Sequence, residues 1–157
     1  MIKTGIGYDI HKLALGKKLK VGGVEIKSEF GSVGHSDGDV LIHAIVDSLL
    51  GASSLGDIGQ LFPSDDEEWK DINSLFFLEV VGKKLRSSAF KINHIDSVIV
   101  LEKPKLSNYI NEMRTNMSNK LKIDISQISV KATTADYLDS IGKNEAIAAH
   151  AIATLEN

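Results

Sequence analysis

The stretch Gly34-His35-Ser36-Asp37-Gly38-Asp39-Val40-Leu41-Ile42-His43-Ala44-Ile45-Val46-Asp47 constrains this chain more than any other. It opens as Gly- and Asp-rich turn sequence and continues as a helix. The helix is apolar almost all round, with Val40, Leu41, Ile42, Ala44, Ile45, Val46, Leu49 and Leu50. One polar stripe, Asp39, His43 and Asp47, recurs at i, i+4 and i+8 and so lies on a single face. A helix of this kind is buried, and its polar stripe must face partners rather than water. Gly51 and Gly56-Asp57 close the segment with a second loop. Glycine-rich loops at both ends of a buried helix suggest a binding site.

The segments around it read as one α+β domain spanning 1–157. Ile2 to His11 alternates, with Ile2, Thr4, Ile6, Tyr8 and Ile10 on one face of a strand. Lys3, Gly5, Gly7, Asp9 and His11 lie on the other, so Asp9 and His11 project together beside two glycines that permit a close backbone approach. Gly5-x-Gly7 is no dinucleotide fingerprint, because position 10 is Ile. Leu19 to Ile26 forms a hairpin turning at Gly22-Gly23. An irregular acidic loop follows the helix, over Gly56 to Asp66. A second helix begins near Asn73 or Ser74 and runs to about Leu85. Ile95 to Leu101 is a strand, broken by Lys103-Pro104-Lys105. Ile110, Met113, Met117 and Leu121 mark a third helix, with Ser107 in position to cap it. Gln127 to Thr133 alternates again, with Ile128, Val130 and Ala132 inward. Glu145 to Leu155 is ambiguous: its alanines favour helix, yet the run also fits a buried strand.

Composition narrows the chemistry. The chain has no cysteine, so any metal is held by His and carboxylates. Net charge is −3 with no Lys/Arg block, which argues against a nucleic-acid partner. No apolar run is long enough to span a membrane. Met1 leads straight into strand-like sequence with no signal or transit segment, and the expected location is the cytoplasm.

Asp9-x-His11 with a helical histidine, His43, offers one carboxylate and two imidazoles, a set that suits zinc with a fourth position open to substrate. The competing reading is Asp9 capping a turn with His11 and His43 as satisfied polar residues, since D-x-H is common by chance. Placement of His43 inside a buried apolar helix favours a ligand, with Asp39 or Asp47 available to orient its second nitrogen. Lys131, Thr133 and Thr134 at a strand end, and Lys103 and Lys105 around a proline, suit phosphates. Asp57, Asp65, Asp66 and Asp136 offer hard oxygen ligands for magnesium. Each acidic residue taken singly is a solvated loop residue; together with the His/Asp set they favour a metal-dependent phosphate enzyme.

Asp9-Ile10-His11, His35-Ser36-Asp37-Gly38-Asp39, His43, Leu55-Gly56-Asp57-Ile58-Gly59, Leu61-Phe62-Pro63, Lys103-Pro104-Lys105, Met113-Arg114 and Lys131-Ala132-Thr133-Thr134 occur in this order. This pattern resembles the 2-C-methyl-D-erythritol 2,4-cyclodiphosphate synthase family over essentially Ile2 to Leu155. The resemblance implies a mixed four-stranded sheet with helices on one face and a short N-terminal hairpin, assembled as a homotrimer with active sites between subunits. It makes Ala146 to Leu155 a strand near the trimer axis. It also implies a phosphorus–oxygen lyase of the non-mevalonate isoprenoid pathway. The 2-phosphate of 4-diphosphocytidyl-2-C-methyl-D-erythritol 2-phosphate would attack the β-phosphorus, releasing CMP and the cyclic diphosphate.

On that resemblance Asp9, His11 and His43 would hold zinc, and His35 and Thr134 would stabilise the transition state. Asp136 would carry a magnesium or manganese ion. Asp57, Ile58, Gly59, Phe62, Pro63, Ser64, Asp65 and Asp66 would contact the erythritol phosphate. Leu101, Glu102, Lys103, Pro104, Lys105, Leu106 and Ser107, with Thr133, would form the cytidine pocket of an adjacent subunit. Ile10, Ser36, Lys131, Ala135 and Lys143 complete the implied substrate contacts. Two departures stand out from the bacterial pattern: Asp136 replaces a glutamate, and Lys143 replaces an arginine as a point charge without its bidentate fork. A tethered nucleophile needs alignment and charge neutralisation more than a basic side chain, and no Ser-His-Asp arrangement is visible. The rivals are a metal-dependent phosphodiesterase and a trimeric isoprenoid-diphosphate-binding protein with a structural metal.

Overall fold

The computed structural model describes residues 1–34 and 36–157. Strand β1 (Ile2–Leu15) leads into a small hairpin of β2 (Leu19–Val21) and β3 (Val24–Ile26), then β4 (Phe30–Val33). Helix α1 (Val40–Ser53) and the short α2 (Ile58–Leu61) precede α3 (Ser74–Ser87). Strand β5 (Lys91–Val100), helix α4 (Ile110–Leu121), strand β6 (Ile128–Thr133), the single turn α5 (Asp139–Gly142) and β7 (Ala146–Glu156) complete the chain. The main sheet has the order β4-β1-β7-β5-β6. Among the described residues only β5 and β6 run parallel, and α4 supplies the crossover that parallel neighbours require.

Helix α1 is the centre of the core: Leu41, Ile42, Ile45, Leu49 and Leu50 are fully buried. Asp39 caps it, accepting from the Ile42 N–H, and the same carboxylate accepts from the Gly22 and Gly23 N–H groups of the hairpin turn. One buried side chain therefore starts the helix and pins the hairpin to it. Burial, with the neighbouring Asp37 charge, pushes the Asp39 pKa up to about 6 against the pull of those N–H donors. Helix α3 starts at an Asn73 cap and buries Phe77, Leu78, Val81 and Leu85 on one face. Helix α4 buries Met113, Met117 and Leu121 at helical spacing, and Arg114 ties it to β6 by donating to the Ile128 carbonyl. Ser107 does not cap α4. The cap position falls at Tyr109, with no side-chain hydrogen bond, because a turn closed by Tyr109 N–H to the Leu106 carbonyl intervenes.

The sheet has five strands rather than the expected four. The extra one, β4, pairs with the end of β1 between Lys12↔Val33 and Leu15↔Phe30. Its sequence, Phe-Gly-Ser-Val, is too short and too rich in small residues to read as a strand. Strand β5 starts earlier than Ile95, since an irregularity between Ile92 and His94 interrupts the alternation. The alanine-rich C-terminal run is strand β7, paired on both sides by β1 and β5. Of the helices, α5 lies apart from the main core, where Ile141 packs with Ala146 and Ala148.

The two faces of β1 divide in an unexpected way. Its glycine face packs on α1, while Ile2, Ile6, Tyr8 and Ile10 point outward at 71%, 78%, 52% and 44% exposure. The cause is backbone proximity: a Cβ on Gly7 would stand 1.9 Å from the Ala44 carbonyl oxygen, and one on Gly5 would stand 2.2 Å from that of Ser48. Strand and helix touch main chain to main chain, with no room for side chains between them. Gly7→Ala should therefore lower stability by about 1–3 kcal/mol or more. Gly51→Ala, inside α1 with nothing closer than 3.9 Å to the new methyl, should be neutral or raise it by up to about 1 kcal/mol. Urea unfolding of both variants checks the pair, and equal midpoints would contradict the close-approach account.

Candidate metal centre

Alternation along β1 places Asp9 and His11 on the α1 side of the sheet, and the Gly7–Ala44 approach brings His43, the residue before Ala44, down onto them. Asp9 Oδ1 accepts from the Ile10 N–H at 2.9 Å, which leaves Oδ2 to face both imidazoles. That oxygen stands 2.8 Å from His11 Nε2 and 3.0 Å from His43 Nδ1, and the two nitrogens are 3.2 Å apart. Ligands about 2.0–2.1 Å from a tetrahedral zinc stand roughly 3.3 Å from one another. The triad is thus close to three corners of such a tetrahedron, and it is the one such His/Asp/Glu group among the described residues. Its donor set fits a borderline metal of the zinc type.

Burial works to raise the Asp9 carboxyl, but hydrogen bonds and charge from His11 and His43 outweigh it and bring its pKa down to about 2. Burial lowers the His11 imidazole, yet the Asp9 hydrogen bond and charge, helped by a backbone bond with Val33, raise it above its ordinary value. The expected partners of the second His43 nitrogen are not the ones found. Asp39 is occupied by the hairpin turn and the helix cap, and Asp47 accepts from the Ile58 N–H. His43 Nε2 instead faces Ser74 Oγ at 3.0 Å and Ser36 Oγ at 3.1 Å.

A cavity of about 220 Å³ opens beside the triad, lined by His11, Ser36, His43, Ile58, Gly59, Phe62, Ser64, Trp69 and Phe77. Phe62 stacks on Phe77 at 4.3 Å between ring centroids, and Trp69 packs edge-on against Phe62. Trp69 and Phe77 were not legible as site residues: Phe77 reads as core on an amphipathic helix, and Trp69 sits in an acidic loop with no periodicity. Of the other residues expected here, Asp57 caps α2 by accepting from Gln60, and Asp66 caps the turn Glu67–Trp69. Pro63 and Asp65 do not line the cavity. The Ile10 side chain points to the opposite face of the sheet, and only its N–H serves the centre.

A second cavity, about 350 Å³, gathers Leu101, Glu102, Pro104, Lys105, Leu106, Ser107, Ile110, Ala132, Thr133 and Thr134. Glu102 accepts from the Ala135 and Tyr137 N–H groups at 3.3 and 3.4 Å, holding the loop that carries Asp136. Thr134 Oγ1 donates to Asp136 at 3.3 Å. Lys103 is outside this cavity, and Lys131 is engaged by Asp96 at 2.6 Å on the exposed side of β6. Lys143 is exposed just after α5. The two cavities belong to different strands: register runs from His11 to Ile147, and from Ala148 through Val100 to Thr133. Three strand steps at the usual spacing put them about 14 Å apart in one chain. His35 lies outside the described residues.

Residues 2–156 match the YgbB family. The chain is 50% identical to 2-C-methyl-D-erythritol 2,4-cyclodiphosphate synthase of Chlorobium phaeobacteroides, over 99% of this chain and 98% of that one. It is 49% identical to the synthase of Lachnospira eligens, over 99% of this chain and 85% of that one. Among solved structures, the Plasmodium falciparum IspF complex with CDP superposes with a TM-score of 0.86 at 39% identity, over 98% of this chain and 95% of that one. The bifunctional IspDF of Campylobacter jejuni superposes with a TM-score of 0.95 at 38% identity; this chain covers 42% of it and is itself covered to 99%. The chain belongs to the YgbB family, alongside the 2-C-methyl-D-erythritol 2,4-cyclodiphosphate synthases.

Proposed function

We propose that this protein converts 4-diphosphocytidyl-2-C-methyl-D-erythritol 2-phosphate into 2-C-methyl-D-erythritol 2,4-cyclodiphosphate and CMP. The observation that carries the reading is an open-sided Asp9/His11/His43 set beside an open cleft, in a chain aligned end to end with named synthases. Three protein ligands are the number that catalytic zinc sites use, whereas structural sites are closed by four. Zinc held there supplies Lewis-acid polarisation and charge neutralisation at a phosphate oxygen. The 2-phosphate oxygen forms a bond to the β-phosphorus, the bond from that phosphorus to the bridging oxygen breaks, and CMP carries that oxygen away.

The protein's own part is alignment. Asp9, His11 and His43 would hold the zinc against one phosphate, while Ile58, Gly59, Phe62 and Ser64 wall the erythritol side and exclude water. His35 and Thr134 stabilise the charge that builds at the transferring phosphorus. Asp136 would hold a magnesium or manganese ion, which would neutralise charge on the diphosphate. The cavity around Leu101 to Ser107 takes the cytidine. The roughly 14 Å between the two cavities within one chain favours a site completed by a neighbouring subunit. The outward apolar face of Ile2, Ile6, Tyr8, Ile10 and Ile152, and exposed Tyr137 and Leu138, supports the homotrimer that would bring them together.

Phosphorus NMR of the products tests the activity. A cyclic diphosphate with stoichiometric CMP is expected; a linear phosphate would assign the phosphodiesterase reading, and no turnover the binding protein. His43→Ala should lose both zinc and turnover while keeping its fold, and zinc retained at one per chain would contradict the ligand set. Proton competition gives a further outcome. Metal binding needs neutral His11, and Asp9 raises its pKa above 6.5 in the metal-free protein. Zinc affinity should therefore be full above that raised value and fall by about tenfold or more per unit as pH drops below it. An affinity series between acid and mildly alkaline pH checks this, and a break in log affinity below 6.5 would contradict it.

A further inference from the structure

The groups behind His43 form a chain that crosses four parts of the fold. Its Nε2 stands 3.0 Å from Ser74 Oγ, the first residue of α3. The Ser74 hydroxyl donates to Asp37 Oδ1. Asp37 also accepts from the Ser74 N–H at 2.9 Å and pairs with Lys20 Nζ of β2 at 3.2 Å. Ser74 is fully buried, and the Asp37 and Lys20 side chains are 12% and 24% exposed.

Donor and acceptor inventory gives this chain a direction. A carboxylate paired with lysine only accepts, so the Ser74 hydroxyl must spend its single proton on Asp37. Its oxygen then has only lone pairs to offer His43. The hydrogen bond closes if Nε2 carries the proton, which leaves the Nδ1 lone pair directed at Asp9 and His11, where a metal binds. The hydroxyl is not needed to cap α3, because Asn73 already does so by accepting from the Leu75 N–H. Ser36 also reaches Nε2 at 3.1 Å, but among the described residues its hydroxyl has no second partner of comparable kind.

We propose that Ser74, held by Asp37 and Lys20, is a positioning residue that sets the tautomer and ring orientation of His43, and through them the affinity of the centre for its metal. The proposal rests on the reading of Asp9, His11 and His43 as the metal ligands. Groups placed behind metal-bound histidines typically change affinity by about 10–100-fold when removed.

The test compares the full-length protein with Ser74→Ala, Ser74→Thr and Asp47→Asn, measuring zinc affinity by chelator competition. Ser74→Ala should weaken binding by about 10–100-fold. Ser74→Thr, which keeps a hydroxyl, should recover most of it, and Asp47→Asn, on the same stripe but bonded to Ile58, should stay near the wild-type value. In the zinc-loaded wild type, proton–nitrogen NMR should show His43 protonated at Nε2 and slow to exchange with solvent; in Ser74→Ala that exchange should be fast. Equal, measurable affinity in wild type and Ser74→Ala would overturn the proposal while leaving the metal centre intact. A His43 protonated at Nδ1, or bound to zinc through Nε2, would overturn it from the wild type alone, whatever the folding of the variants. Absence of zinc binding in the wild type would overturn the ligand set itself, and the proposal with it.

Discussion

The contact on which the rest depends is the meeting of two backbones, β1 and α1, at Gly5 and Gly7. Without side chains between them, the helix lies low enough on the sheet for His43 to reach Asp9 and His11 of the neighbouring strand positions. The same approach leaves the glycine face of β1 inward and turns its isoleucines and Tyr8 outward. One packing decision thus fixes both the centre and an apolar outer surface.

The electrostatics of the centre follow from that crowding. A carboxylate oxygen and two ring nitrogens converge within about 3 Å of one another, an arrangement that calls for a positive charge between them. Hydrogen bonds and charge between Asp9 and the imidazoles hold Asp9 down to about 2 and raise His11, despite the partial burial of both. A divalent cation meets the same demand better, because it satisfies all three donors at once. Asp39 shows the contrast. It is more deeply buried, faces backbone N–H groups rather than imidazoles, and its pKa moves up instead. The two aspartates flanking His43 in space and sequence do different jobs.

Much of this was legible in the chain. Alternation in Ile2 to His11 gave the shared direction of Asp9 and His11, and the apolar helix after Gly34 gave a partly buried His43. Of the residues expected around the cytidine, Leu101 to Ser107 with Thr133, all but Lys103 line one cavity. Other features depend on tertiary register that no local pattern carries. Ser74 is separated from His43 by an irregular loop, so its hydroxyl reads only as a helix start. Asp39 shares the helix stripe with His43, yet tertiary contact with Gly22 and Gly23 takes it away from the imidazole. Strand β4 forms because β1 runs on to Leu15 and offers an edge, not because Phe30 to Val33 favours a strand.

X-ray absorption at the zinc edge, with anomalous diffraction from the same crystals, reads the β1–α1 centre itself. One zinc per chain is expected, bound by Asp9 Oδ2, His11 Nε2 and His43 Nδ1 at about 2.0–2.2 Å, with the fourth position taken by a non-protein ligand. A metal closed by a fourth protein ligand, or an anomalous peak away from the β1–α1 junction, would contradict it.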